Sequence, residues 1–260
     1  MVSSGLVDKN KTKEIDKAPR VSPYRLSTHA GFAYSLYTVR LWQAMNLLRW
    51  PQEATVTSFQ KLAAINDMRT RLRRIAFFIL PFVLVTGYFT AGTNAGASCN
   101  TFPKVGSNWF YNSNHFLDRD EVPLWKNFTE NKLICQVNHR TLASIMTIWA
   151  TWFCFKTSRL TYLPPLAKRS LLFLAISLWV QMFIGMNVIW NSVPIWLASS
   201  HQFGALTVLT CIIYAHHNAR RVDPRHVKNM LGKLKIEDKT AFDQMMKWQM
   251  SKTKVSAKEL

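Results

Sequence analysis

No two cysteines in this 260-residue chain have the spacing of a metal knuckle or a redox motif. Cys135, Cys154 and Cys211 lie inside apolar runs and Cys99 stands alone in a polar stretch, so a loop disulfide has no second partner. Acidic residues are scarce, 14 against 33 Lys and Arg, which leaves a net charge of +19. Zinc-finger spacing, an RNP-like aromatic motif and a continuous basic helix are all missing, so the charge does not read as nucleic-acid binding. Residues 1–22 lack an apolar core and carry Asp8, Glu14 and Asp16, which a mitochondrial presequence avoids. Either internal signals target the protein, or its true N-terminus lies upstream. Two glycosylation sequons, at Asn10 and Asn127, are matches of a kind common by chance.

What is present is apolar and arranged in runs. Apolar residues make up 48% of the chain and charged residues 18%. About 20 mostly apolar residues cross a bilayer as a helix. The pattern predicts an all-α polytopic membrane protein with five spans: Tyr24–Leu48 after Pro23, Ile75 to about Ala91 with Pro81 inside it, 133–155, Ser170–Trp190, and Ile195–Tyr214. The last four are expected to form a four-helix bundle over 75–216. Around it lie a polar segment (1–22), a basic connector (49–74), a neutral loop (92–132), a second basic connector before Ser170 and a basic tail (217–260). In that tail Phe242, Met245, Met246 and Trp248 make a weak amphipathic pattern. The basic connectors and tail share one side, so the positive-inside rule turns the N-terminus outward and the tail toward matrix or cytoplasm.

This topology sets histidines at matched depth. His139 lies six residues past Leu133 and His201 six past Ile195, and both of those helices enter from the outer side. At 1.5 Å per residue both sit roughly 9 Å into the membrane. Two histidines so placed can ligate one metal ion from opposite faces, and in an aromatic bundle the natural acceptor is haem iron. Zinc would need further N, S or carboxylate ligands at that depth. The competing reading is that both make interhelical hydrogen bonds. His29 opens the first span at similar depth without a visible partner, while His115, His216, His217 and His226 are expected in solvent. Arg25 and Arg140 are candidates for pairing with haem propionates or for snorkelling to headgroups. A short repeat links Ser27-Thr28-His29-Ala30-Gly31 with Ser199-Ser200-His201-Gln202-Phe203-Gly204. It pairs the first span with the fifth, as though the first were the last helix of an earlier four-helix unit whose other three helices are absent.

Four passages resemble the haem A synthase family of cytochrome c oxidase assembly. They are Pro19 to His29; Ala91-Gly92-Thr93-Asn94-Ala95-Gly96 with Asn100 to Gly106; Glu130 to Arg140 through Gln136-Val137-Asn138-His139; and Pro194 to Leu206 through His201-Gln202-Phe203-Gly204. They run in the family's order and cover roughly 18–216. The resemblance implies eight helices in two pseudo-symmetric halves. It implies that His139 and His201 hold a haem b cofactor in the C-terminal half, and that His29 belongs to the half that binds the substrate haem O. The implied reaction oxidises the C8 methyl of haem O to the formyl of haem A.

Two departures matter. The family's first three helices, which bring its Glu- and His-bearing motif, have no counterpart here, so no catalytic residue is identifiable. Asn94 stands where the family commonly has Asp. The expectation is a fragment or split subunit, inactive without its missing N-terminal half or a second polypeptide. Membrane lipid, haem O, haem A, haem O synthase and a second copy of the chain are the other expected partners, and nucleic acid is not one. The mitochondrial inner membrane is the expected location, with a bacterial plasma membrane as the alternative. Two other functions compete: a bis-histidine electron-transfer cytochrome, which needs only His139 and His201, and a haem-free membrane assembly factor.

Overall fold

The computed structural model describes residues 21–48, 59–76, 80–106, 123–160, 163, 165–219 and 243. Among these, the elements are helices: α1 (Pro23–Leu48), α2 (Phe59–Arg74), α3 (Leu80–Gly92), a 3-10 turn (Ala95–Ala97), α4 (Leu124–Glu130), α5 (Lys132–Ser158), α6 (Pro165–Trp190) and α7 (Ile195–Asn218). α5 packs on α3 and α6, α6 on α7, and α1 lies against α3 and α7. The expected N-terminal polar segment falls almost wholly outside the described residues, as do His115, His226 and the amphipathic tail apart from Asp243.

Local chemistry explains the ends. Asn131 caps α5, its side chain accepting from the N–H groups of Leu133 (3.1 Å) and Ile134 (3.2 Å). Pro81 lies near the first described residue of α3. Residues 75 and 76 continue the helical path of α2 as a π turn, and residues 77–79, between them and α3, lie outside the described residues. The turn after α6 is tighter than most. Ser192 (φ 59) and Val193 (φ 62) both sit in the left-handed region, which is costly for a β-branched residue. The Val193 N–H is held by the Val188 carbonyl at 2.8 Å.

The connector expected at 49–74 contains α2, a helix that hydropathy does not reveal. Ile65, Met68, Leu72 and Ile75 are buried on one face, and the last three belong to a core cluster with Phe153, Leu171 and Ile212. Likewise α6 begins at Pro165 rather than Ser170, and the loop before α5 contains α4.

α6 and α7 are the two described helices both long and apolar enough to cross a membrane. α1 and α5, of 26 and 27 residues, have the length but carry more polar side chains. Large apolar residues stand exposed on the outer faces: Phe32 and Leu36 on α1, Ile148 and Trp152 on α5, Phe173 and Phe183 on α6, Phe203 on α7. An exposed apolar surface of this extent marks an interaction site, membrane or protein.

Candidate functional site

α3, α5, α6 and α7, with Tyr34 of α1, line a partly open cavity of about 370 Å³, and His139 and His201 both line it. Their ring centres are 6.3 Å apart and the planes cross at 84°. Two imidazoles bonded at about 2.0–2.1 Å to one ion between them would have centres roughly 6–6.5 Å apart. The spacing therefore fits two ligands of a single metal centre better than a hydrogen-bonded pair of rings.

Each ring is backed by a glycine on the preceding helix. A methyl at Gly87 of α3 would come within 2.8 Å of His139 Cε1, and one at Gly185 of α6 within 2.8 Å of His201 Cε1. A Cβ at either position would push the imidazole out of place. On the α3 side, Thr86 Oγ1 is 3.2 Å from His139 Nδ1, and Thr90 one turn later donates to the Cys135 carbonyl at 3.0 Å. On the α6 side, Gln181 Nε2 donates to the His201 carbonyl at 2.9 Å. His201 Nδ1 is buried with no hydrogen-bond partner among the described residues. An imidazole with an unpaired buried nitrogen beside a cavity is incomplete as a packing residue and suited to a ligand that brings its own acceptor or metal.

The remaining wall is apolar and methionine-rich, with Met146, Met182 and Met186 among its residues. The loop after α3 lines one end. Asn94, Gly96 and Phe102 line the cavity, and α5 holds the loop in place. Gln136 Nε2 donates to the carbonyls of Gly96 (3.1 Å) and Cys99 (2.9 Å). Arg140 Nη1 and Nη2 donate to those of Thr101 (2.8 Å) and Lys104 (3.1 Å). Asn100 Nδ2 reaches Ser192 Oγ at 3.0 Å, tying the loop to the strained α6–α7 turn.

Of the residues expected at the site, His139, His201 and Arg140 come together. His29 and Arg25 lie on the exposed surface of α1, outside the cavity lining. Arg140 lines the cavity while its guanidinium holds the loop. The expectation that His216 and His217 are solvated is corrected. Both lie on α7, their rings 5.4 and 5.3 Å from that of Trp42 on α1, and His217 is only 3% exposed. Their neighbouring basic residues suggested solvent, but α1 covers them. Gly87, Gly185 and Thr86 were not found from sequence, because nothing local distinguishes them.

The COX15-CtaA family model, described as cytochrome oxidase assembly protein, matches residues 1–213. The Heme A synthase COX15 of Arabidopsis thaliana is 34% identical over 221 residues, 82% of this chain and 45% of that protein. The Heme A synthase of Nitrosospira multiformis is 32% identical over 221 residues, 85% of this chain and 56% of that protein. The Heme A synthase COX15 of Homo sapiens is 33% identical over 225 residues, 85% and 51% respectively. The chain spans about half the length of the curated relatives it matches. No solved structure matches. The chain belongs to the cytochrome oxidase assembly family to which these haem A synthases belong.

Proposed function

We propose that this chain is the cofactor-bearing part of a haem A synthase, and that His139 and His201 would hold a haem b in the cavity lined by α3, α5, α6 and α7. The observation that carries the reading is the pair of imidazoles 6.3 Å apart in a largely apolar cavity, each backed by a glycine. The bound haem would supply one-electron transfer during oxidation of the C8 methyl of haem O. The chain's own residues would bind and orient it: the two histidines would hold the iron, the apolar wall would limit water, and the loop after α3 lines one end of the cavity. Arg140 brings a positive charge to the cavity where a propionate would be neutralised.

Five spans follow from the same reading. α1, α3, α5, α6 and α7 cross the mitochondrial inner membrane, or the plasma membrane of a bacterium. The basic connectors and tail face the matrix, and the loop before α5 lies on the outer side with the N-terminus. The exposed aromatic and aliphatic faces of α5 and α6 support this, as does the length of α6 and α7. His29 then belongs to the substrate side, on a face of α1 that also exposes Phe32 and Leu36. Turnover is expected only when a segment or second polypeptide supplies the other half, because this chain matches about half of its relatives.

The test is complementation. Co-expressed with a polypeptide carrying that other half in a strain lacking haem A synthase, the chain should restore haem A, measured by chromatography of extracted haems. His139→Ala should abolish the restoration. Haem A formation that survives loss of both His139 and His201 would contradict the cofactor assignment. Haem bound stably by both histidines, with no haem A under any pairing, would favour the electron-transfer cytochrome.

A further inference from the structure

The two histidines are backed alike by glycine but held unequally, and the difference sits one residue before each glycine. Before Gly87 stands Thr86, and before Gly185 stands Ile184, which has no hydroxyl. Thr86 Oγ1 donates its only proton to the Val83 carbonyl at 2.8 Å. With the proton on that bond, its contact with His139 Nδ1 at 3.2 Å is one in which the oxygen accepts. A hydrogen bond in that sense requires the proton of a neutral His139 to be on Nδ1. That leaves the lone pair on Nε2, the nitrogen available to a metal. Among the described residues His201 has no hydroxyl beside it; the Gln181 backbone lies against its ring as that of Val83 lies against His139.

We propose that Thr86 is a positioning residue that, beside the Val83 carbonyl, fixes the tautomer and ring orientation of His139, a hydroxyl contact that His201 lacks. Acceptors placed behind a metal-bound imidazole raise its basicity and set its orientation, and their loss commonly weakens metal binding about 10- to 100-fold. Gly87 completes the cradle by leaving room for the same ring, which an added Cβ would meet at 2.8 Å. The consequence for haem rests on the function proposed above; the tautomer itself does not.

The experiment uses the full chain in detergent with Thr86→Val, which keeps the shape and removes the hydroxyl, and Thr86→Ser, which restores it. In haem-free protein, nitrogen chemical shifts of His139 are expected to report the Nδ1–H tautomer in the wild type and Thr86→Ser, and a mixture or the Nε2–H form in Thr86→Val. In haem-loaded protein, Thr86→Val should release haem about 10- to 100-fold more readily. Its reduction potential should rise, because a less basic ligand stabilises the ferric state less, and Thr86→Ser should restore both. An Nε2–H tautomer in the wild type overturns the proposal, as does a Thr86→Val protein indistinguishable from wild type. So does failure of Thr86→Ser to restore what Thr86→Val loses. A wild-type chain that takes up no haem would instead overturn the function, and the tautomer measurement would still decide the role of Thr86.

Discussion

The two ends of α7 both carry buried histidine, and the two ends do different things. At its N-terminal end, the outer one in the topology proposed above, His201 borders a cavity and faces a second imidazole. At its C-terminal end, the inner one in that topology, His216 and His217 meet the ring of Trp42, and His217 is enclosed. There α2 brings its buried stripe against the same helix, and Arg69 Nη1 lies 3.5 Å from the Ala219 carbonyl at the α7 terminus. Residue type and helix are the same in both places. What differs is the neighbour: glycine and empty space at one end, indole and helix at the other. A buried histidine is fit to bind a ligand when space and a second donor lie beside it. It is a packing residue when an aromatic ring already fills that space.

The largest effect should come from breaking the outer pair. His139→Ala or His201→Ala is expected to abolish haem retention through purification, while His29→Ala and His216→Ala retain it, as read from the Soret absorbance per chain. Retention by both single ligand variants would remove the distinction between the two ends. Next come the glycines. Gly87→Ala and Gly185→Ala should each lower haem occupancy at least several-fold, because the added methyl would lie 2.8 Å from a ring carbon. Gly31→Ala is the control, since a Cβ there meets nothing within 4 Å. In a helix interior that change should be neutral or stabilising by up to about 1 kcal/mol.

Smaller effects should come from the inner end. His217→Ala is expected to cost roughly 1–3 kcal/mol of stability by emptying a packed site, seen as a lower thermal midpoint, with haem content per folded chain unchanged. The smallest effect lies in the outer loop. Burial pushes the Cys99 thiol up, but hydrogen bonding to Thr101 and the Gly106 N–H, with the Arg140 charge nearby, outweighs it and the net direction is down. The thiolate is then populated at lower pH than in an ordinary cysteine. Alkylation of Cys99 should accelerate through a midpoint below that of a free thiol, and Thr101→Val should move the midpoint up.

Much of the outer site was legible in the sequence because it follows from one-dimensional counting. Apolar runs give the long helices, and equal offsets from their starts bring His139 and His201 to one level. α2 was read as connector because its charge is conspicuous. Its buried stripe at Ile65, Met68, Leu72 and Ile75 has helical spacing and was available to a periodicity reading. The partners of the two histidines were not available. Gly87 is far from His139 in sequence, and Gly185 touches His201 only because a tight turn folds α6 back on α7. His216 and His217 were misread for the same reason: the indole that covers them comes from the other end of the chain.

The most direct test of the central claim is the haem content and type of the purified full chain in detergent, by pyridine haemochrome spectrum. A His139–His201 pair ligating one iron predicts about one haem b per chain with a low-spin, six-coordinate spectrum. Folded, helical protein that takes up no haem, or haem bound equally well after both histidines are replaced, would contradict it.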